Sequence, residues 1–181
     1  YQYNIRLSEP LYEITNNVMP VTALLEIIYN KNFVIDLIDA RKINKRFTAL
    51  EKKMIIVGTH DYSPAFLKLL RVIGKRNDLI IVYENLSNIN AINGVWNIDS
   101  CLSSVSNINE EAFIPDIVIT LGIQILSKKL KQFLLNKPKI HWDVPIQNSI
   151  IGRNRDMFGV LDIVEPINEK QFLDILLNTP E

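Results

Sequence analysis

From about Lys53 onward, short continuous apolar runs alternate with stretches of helical periodicity. Met54-Ile55-Ile56-Val57 closes on Gly58, and Leu79–Tyr83, Ile117–Gly122, Ile140–Val144 and Val160–Val164 have the same character. Unbroken runs of this length are the pattern of strands buried on both faces. One such run is ambiguous between a strand and a buried helix, but five with helical patterns between them are less so. Ser63 is placed to cap a helix that starts at Pro64, buries Phe66, Leu67, Leu69, Leu70 and Ile73, and stops at Gly74. A second helix runs from Ser127 to Leu135 with Leu130, Phe133 and Leu134 inward. A third begins at Asn168, with Gln171 as its capping-box partner and Phe172, Leu173, Leu176 and Leu177 as its stripe. Strands alternating with helices predict βαβ units: an α/β, Rossmann-like, mostly parallel sheet flanked by helices, with right-handed crossovers.

The first fifty residues carry weaker patterns. Phe33–Ile38 is expected to be a strand and Lys42–Lys52 a helix, Val21–Tyr29 reads as helix or strand, and Ser8–Asn17 as a loop. Asn85–Asn109, rich in Asn and Ser, is expected to be a long surface loop with at most a short helix. Within it Trp96 is read as a loop anchor and Cys101 as a half-buried packing residue, whereas Trp142 is a core or interface aromatic.

Composition narrows the functional classes. Lys+Arg and Asp+Glu each number 20 in 181 residues, so no excess of positive charge is available for nucleic acid or an anionic membrane surface. The single cysteine permits no internal disulfide and no cysteine-based metal site, which fits a cytoplasmic protein. No apolar run is long enough to span a bilayer. The chain opens at Tyr1 without a Met and ends just past a helix, as expected of a segment of a longer protein.

Familiar chemistry is mostly missing. Neither G-x-G-x-x-G nor G-x-x-x-x-G-K-[ST] occurs, so no phosphate cradle is supported. His60 follows a strand and reads as a loop histidine or as one facing a cleft at the carboxyl edge of the sheet; His141, inside a strand, reads as a packed ring. Glu110-Glu111 point to different faces and read as solvated surface. The polar cluster that stands out is Ser127-Lys128-Lys129, where Ser127 caps a helix and two cations occupy its first turn. Helix starts disfavour cations, so the arrangement reads either as an anion site at the carboxyl edge of the sheet or as two ordinary solvated lysines.

Asn4, then Glu9-Pro10-Leu11-Tyr12, resembles the segment with which the MenD family of thiamine-diphosphate enzymes leaves its first domain. Leu121-Gly122, Ser127-Lys128-x-Leu130, Phe133-Leu134, Asp143 and Arg155-Asp156 resemble the strand–helix–strand block of that family's central domain, and Asn85-Leu86-Ser87 is also similar. The resemblance implies a central Rossmann-like domain over 33–181, preceded by an inter-domain connection and first elements over 1–32. It further implies a menaquinone-pathway transferase that decarboxylates 2-oxoglutarate on thiamine diphosphate and adds the resulting carbanion to isochorismate. Thiamine diphosphate and Mg2+ (or Mn2+) would be held by flanking domains of a homodimer or tetramer. This chain would then hold no catalytic, cofactor-binding or metal-binding residue and be inactive alone. The family's substrate-binding basic pair falls on Lys128 and Lys129, with Ser127 beside them. The second position is Arg in some relatives, and Lys129 cannot reproduce its bidentate fork. The alternatives are the central domain of another thiamine-diphosphate enzyme, an independent nucleotide-binding module, and a structural spacer.

Overall fold

A computed structural model of the chain describes residues 37–90, 92–105, 110–144, 156–162, 167 and 169–178. Its order is α1 (Leu37–Thr48), β1 (Lys53–Val57), α2 (Pro64–Ile73), β2 (Leu79–Tyr83), α3 (Ile98–Val105), β3 (Ile117–Leu121), α4 (Lys128–Leu134), β4 (Ile140–Val144), β5 (Leu161–Asp162) and α5 (Glu169–Asn178). Single 3-10 turns lie at Asn85–Ser87 and Glu110–Phe113.

The five apolar runs pair in parallel, in the order β2-β1-β3-β4-β5. Alternation along each strand sends side chains to two layers of helices. Ile55, Val57, Ile117, Ile119, Leu121, Trp142 and Val144 face Ala40, Ile43 and Phe47 of α1, Phe66, Leu70 and Ile73 of α2, and Phe172, Leu173 and Leu176 of α5. Met54, Ile56, Val82 and Val118 face Ile98 of α3, Leu130 and Leu134 of α4, and Phe158. The mostly parallel α/β expectation is met by a three-layer sheet whose described strands are all parallel.

Local chemistry accounts for the helix ends. Ser63 Oγ accepts the Phe66 amide at 3.2 Å, and Pro64 follows in the first helical position. Gly74 ends α2, but in a right-handed conformation (φ −67°), so a left-handed turn is not why glycine stands there. A Cβ at Gly74 would lie 3.0 Å from Ile81 Cδ1 and 3.2 Å from the Asn93 carbonyl, so close approach to β2 is the constraint. The start expected for α5 at Asn168 lies outside the described residues; of its expected stripe Phe172, Leu173 and Leu176 are buried and Leu177 only partly so, with Ile175 buried in addition.

Two expectations for the first elements require correction. Leu37 and Ile38, assigned above to the end of a strand, belong to α1; Ala40, Ile43, Asn44 and Phe47 are buried at helical spacing, which fixes the period. Residues 33–36, Ser8–Asn17 and Val21–Tyr29 lie outside the described residues. The same helix ends at Thr48 rather than Lys52, because Lys53 already pairs with Leu79 and Ile117.

The Asn-rich stretch is more structured than a surface loop. Val95 bridges to β2 through Tyr83 N to Val95 O at 3.0 Å and Val95 N to Ile81 O at 2.8 Å, and Ile89, Ile92 and Ile98 are buried. Those isoleucines fasten the segment, so Trp96, 60% exposed, is not its anchor. Cys101 is exposed, because α3 turns Ile98 and Leu102 inward instead. Trp142 is fully buried, its ring edge-on to Phe172 at 6.0 Å.

At the amino edge of the sheet, buried Lys53 donates to Asp78 at 2.6 Å, and Arg76 grips the same carboxylate at 2.9 and 2.7 Å. The Arg76 hydrogen bond is the chief reason the Asp78 pKa lies well below the usual carboxylate range. No helix among the described residues is long and apolar enough to cross a membrane.

Candidate functional site

The sheet order changes direction between β1 and β3, the point where parallel sheets of this kind usually open a ligand crevice at their carboxyl ends. Here that point is stitched shut. Gly58 N donates to Leu121 O at 2.8 Å, Thr59 N to Gln124 O at 2.9 Å and Ile123 N to Thr59 O at 2.9 Å. Gly122 (φ +97°) brings its backbone so close that a Cβ there would meet Tyr62 Oη at 2.4 Å, and that hydroxyl donates to Gly58 O at 3.0 Å. His60, partly exposed in the same loop, lies edge-on to Tyr62 at 5.0 Å.

The open cleft at the carboxyl rim lies to one side, between the ends of β2 and β3. It has a volume of about 710 Å³ and is walled by Glu84 and Leu86 after β2, by Trp96 and Asp99 near the start of α3, and by Leu126, Ser127, Lys128 and Lys129 at the start of α4. The junction is built as read from the sequence. Ser127 is the N-cap of α4, its hydroxyl accepting the Leu130 amide at 2.9 Å, and Lys128 and Lys129 open the helix on the rim expected for them.

The occupant of the backbone donors was not foreseen. The Glu84 carboxylate, 9% exposed, accepts the Leu126 amide through both oxygens at 2.8 Å and the Ser127 amide at 2.7 Å. Ser127 Oγ also donates to Asp99 Oδ1. The chain's own acids therefore fill the anion-seeking end of this junction. Lys129 Nζ donates to Ser103 Oγ at 2.9 Å across the α3–α4 contact. The Lys128 ammonium, exposed at the mouth of the cleft, has no hydrogen-bond or ion-pair partner among the described residues. The two lysines, adjacent in sequence, are thus in different circumstances.

A second polar cluster lies beneath the α3–α4 layer. Thr120, His141 and Asp143 share one face of the neighbouring strands β3 and β4 and are all buried. Thr120 Oγ1 donates to Asp143 Oδ1 at 2.7 Å and lies 3.0 Å from His141 Nε2. A carboxylate only accepts, so the hydroxyl's one proton is committed and its lone pair receives the Nε2–H of His141. The imidazole also packs edge-on to Phe158 at 4.7 Å, so His141 is the packed ring expected. Glu110 and Glu111 are exposed, Glu110 pairing with Lys137 at 3.2 Å. Among the described residues no group of three or more His, Cys, Asp or Glu is placed to hold a metal ion.

Glu84 carried one sequence signal, an acid directly after a buried strand at its carboxyl end. The Thr120–His141–Asp143 cluster carried another, polar residues of matching parity inside two apolar runs.

No protein-family model matches the chain. It is 29% identical to the 2-succinyl-5-enolpyruvyl-6-hydroxy-3-cyclohexene-1-carboxylate synthase of Phocaeicola vulgatus over 94% of this chain and 30% of that protein. The synthase of the same name from Bacteroides fragilis is 28% identical over 98% of this chain and 32% of its own length. That of Christiangramia forsetii is 30% identical over 78% of this chain and 25% of its own length. The chain thus spans between about a quarter and a third of the length of these three relatives. A domain-sized match of this kind, on a sheet whose described strands are all parallel, makes the chain similar to one part of the 2-succinyl-5-enolpyruvyl-6-hydroxy-3-cyclohexene-1-carboxylate synthases.

Proposed function

We propose that the chain is the central domain of a cytoplasmic, thiamine-diphosphate-dependent transferase of menaquinone biosynthesis. In this reading the whole protein decarboxylates 2-oxoglutarate and joins the succinyl unit that remains to isochorismate, as a homodimer or tetramer. Thiamine diphosphate supplies the electron sink for such chemistry. The described residues do not fit a site for that cofactor or for Mg2+ (or Mn2+). The β1–β3 crevice is filled by backbone pairing and Tyr62, and no cluster of metal-ligating side chains is present among them. No chemical step is therefore assigned to this domain, and the chain alone is expected to be inactive.

Its own part is to bring positive charge to an acidic substrate. The observation that carries this is Lys128: an exposed ammonium on the rim of a cleft, without a partner among the described residues, beside a helix cap already filled. Both acids carry two carboxylates, which suits an ammonium at a cleft mouth. Ser127 shapes the turn, and Lys129, tied to Ser103, supports from the side. The test is Lys128→Ala in the full-length protein. A hydrogen bond to a charged group is worth about 1.5–3 kcal/mol, so KM for one of the two acids should rise by about ten- to a hundredfold. Unchanged KM and kcat for both acids would leave the domain as a spacer. The sealed crevice gives an adenine nucleotide no seat at the usual place, so the nucleotide-module reading gains no support from the fold.

A further inference from the structure

The geometry points to Glu84 as a positioning residue that sets where Lys128 meets its acid. The inference rests on the reading of Lys128 as a substrate-binding cation. Glu84 stands just past β2, and the loop it holds follows β3; β1 lies between them in the sheet. Its carboxylate spans that gap to take the Leu126 and Ser127 amides at 2.7–2.8 Å, across 42 and 43 residues of sequence. The anchor is itself fixed. The Glu84 carbonyl accepts from Ser87 N at 2.9 Å and Ser87 Oγ at 2.6 Å, and both residues are buried.

Two consecutive peptide N–H groups directed at one carboxylate fix the orientation of the chain entering α4. Lys128 is the next residue, so the origin of its side chain is set by an acid on another strand. The loop is also held nearby by Ser127 Oγ to Asp99, by Thr59 N to the Gln124 carbonyl and Ile123 N to the Thr59 carbonyl, both at 2.9 Å, and by buried Ile125, but none of these engages the Leu126 and Ser127 amides. A shift of about 1 Å in a group that binds substrate can cost up to a hundredfold in rate or affinity. Glu84 touches no substrate in this scheme and acts through Lys128.

A double-mutant cycle in the full-length protein tests this, with KM and kcat measured for 2-oxoglutarate and isochorismate. Glu84→Ala should raise about tenfold the same KM that Lys128→Ala raises, with kcat within about twofold. Glu84→Gln keeps an acceptor where Oε1 lies but sets an amide NH2 where Oε2 accepts the Leu126 amide, so its KM should fall between those of the parent and Glu84→Ala. Added to Lys128→Ala, Glu84→Ala should change KM no further, because the group it positions is gone. If Glu84→Ala does not fold, Glu84→Asp, which keeps the charge and withdraws the oxygens by one methylene, takes its place in the cycle. Multiplicative effects in the double variant, or a parent-like KM in Glu84→Ala, would overturn the positioning role while leaving Lys128 as the substrate cation. A parent-like KM in Lys128→Ala would overturn the functional reading itself, and the inference with it.

Discussion

Gly58→Ala tests the closure of the β1–β3 crevice directly. A Cβ at Gly58 would lie 2.4 Å from the Gln124 carbonyl oxygen and 2.9 Å from its carbon, and both are backbone atoms that no rotamer change removes. Relief to ordinary contact requires the two loops to part by about 1 Å. That movement breaks or lengthens Thr59 N to Gln124 O and Ile123 N to Thr59 O, both 2.9 Å in the parent. At about 1 kcal/mol net per hydrogen bond, and up to about 3 kcal/mol where a buried group is left unpaired, the loss is about 2–4 kcal/mol. The restricted unfolded chain returns roughly 0.4–1 kcal/mol, leaving a net loss of about 1–3.5 kcal/mol. Urea unfolding of the chain, with the slope checked for constancy, measures this. In the full-length protein the displaced Gln124 lies three residues before Ser127, so under the proposed role of Lys128 the KM for its acid should rise as well. A stability loss below about 0.5 kcal/mol would refute the argument, because loops zipped as described cannot admit the methyl group at so small a cost.

Two further outcomes follow from the buried polar groups. Asp78→Asn should destabilise the chain near neutral pH and flatten its acid limb. The folded-state pKa of Asp78 is depressed by Arg76 and Lys53, so its contribution is present above the ordinary carboxylate value of about 4 and fades as pH falls below it. The gap between parent and variant in urea melts should accordingly narrow from pH 5 to pH 3; a constant gap would show that the ion pair is not its source. Thr120→Val keeps the volume but removes both the donor to Asp143 and the acceptor for His141. It should cost about 2–4 kcal/mol, a fall of roughly 5–10 °C in Tm, with Thr120→Ser recovering most of it. A Tm within 1 °C of the parent in Thr120→Val would refute the network.

The elements that the sequence disclosed are those whose signal is local. Buried parallel strands need no alternation, so Met54–Val57 and Ile117–Leu121 stand out as unbroken runs. Ser63 and Ser127 announce their helices because a cap bonds only three residues ahead. Leu37 and Ile38 misled because a short apolar run fits either period, and Ala40, Ile43 and Phe47 settle the matter only when the window extends past Asp39. Ile89, Ile92 and Ile98 were hidden among Asn and Ser because their burial follows from Val95 pairing with β2, not from any period of their own. Lys128 was legible as a cation at a helix start. Glu84 was marked only as an acid at a strand's carboxyl end; its role was not legible, because its partners are set by the order β2-β1-β3, which no single stretch of sequence encodes.

The filled cap also bears on why such a domain would work only within a larger assembly. If the loop amides faced the cleft, the domain could draw an anion to itself through fixed dipoles. They face Glu84 instead, a partner tethered in the same fold, with which an incoming carboxylate would have to compete. Recognition then falls to an exposed ammonium. A unit-charge pair about 4 Å apart in water is worth about 1 kcal/mol, less after salt screening, and about 4 kcal/mol where neighbouring protein lowers the effective dielectric constant to about 20. An ammonium on an open rim is a weak hold, and the same ammonium under a covering domain is a strong one. The cleft walls offer such a cover apolar footing at Leu86, Trp96 and Leu126, each more than 40% exposed. Under the function proposed above, the affinity of Lys128 for an acid would therefore belong to the covered cleft, set jointly by this domain's charge and by the water that a covering domain would exclude.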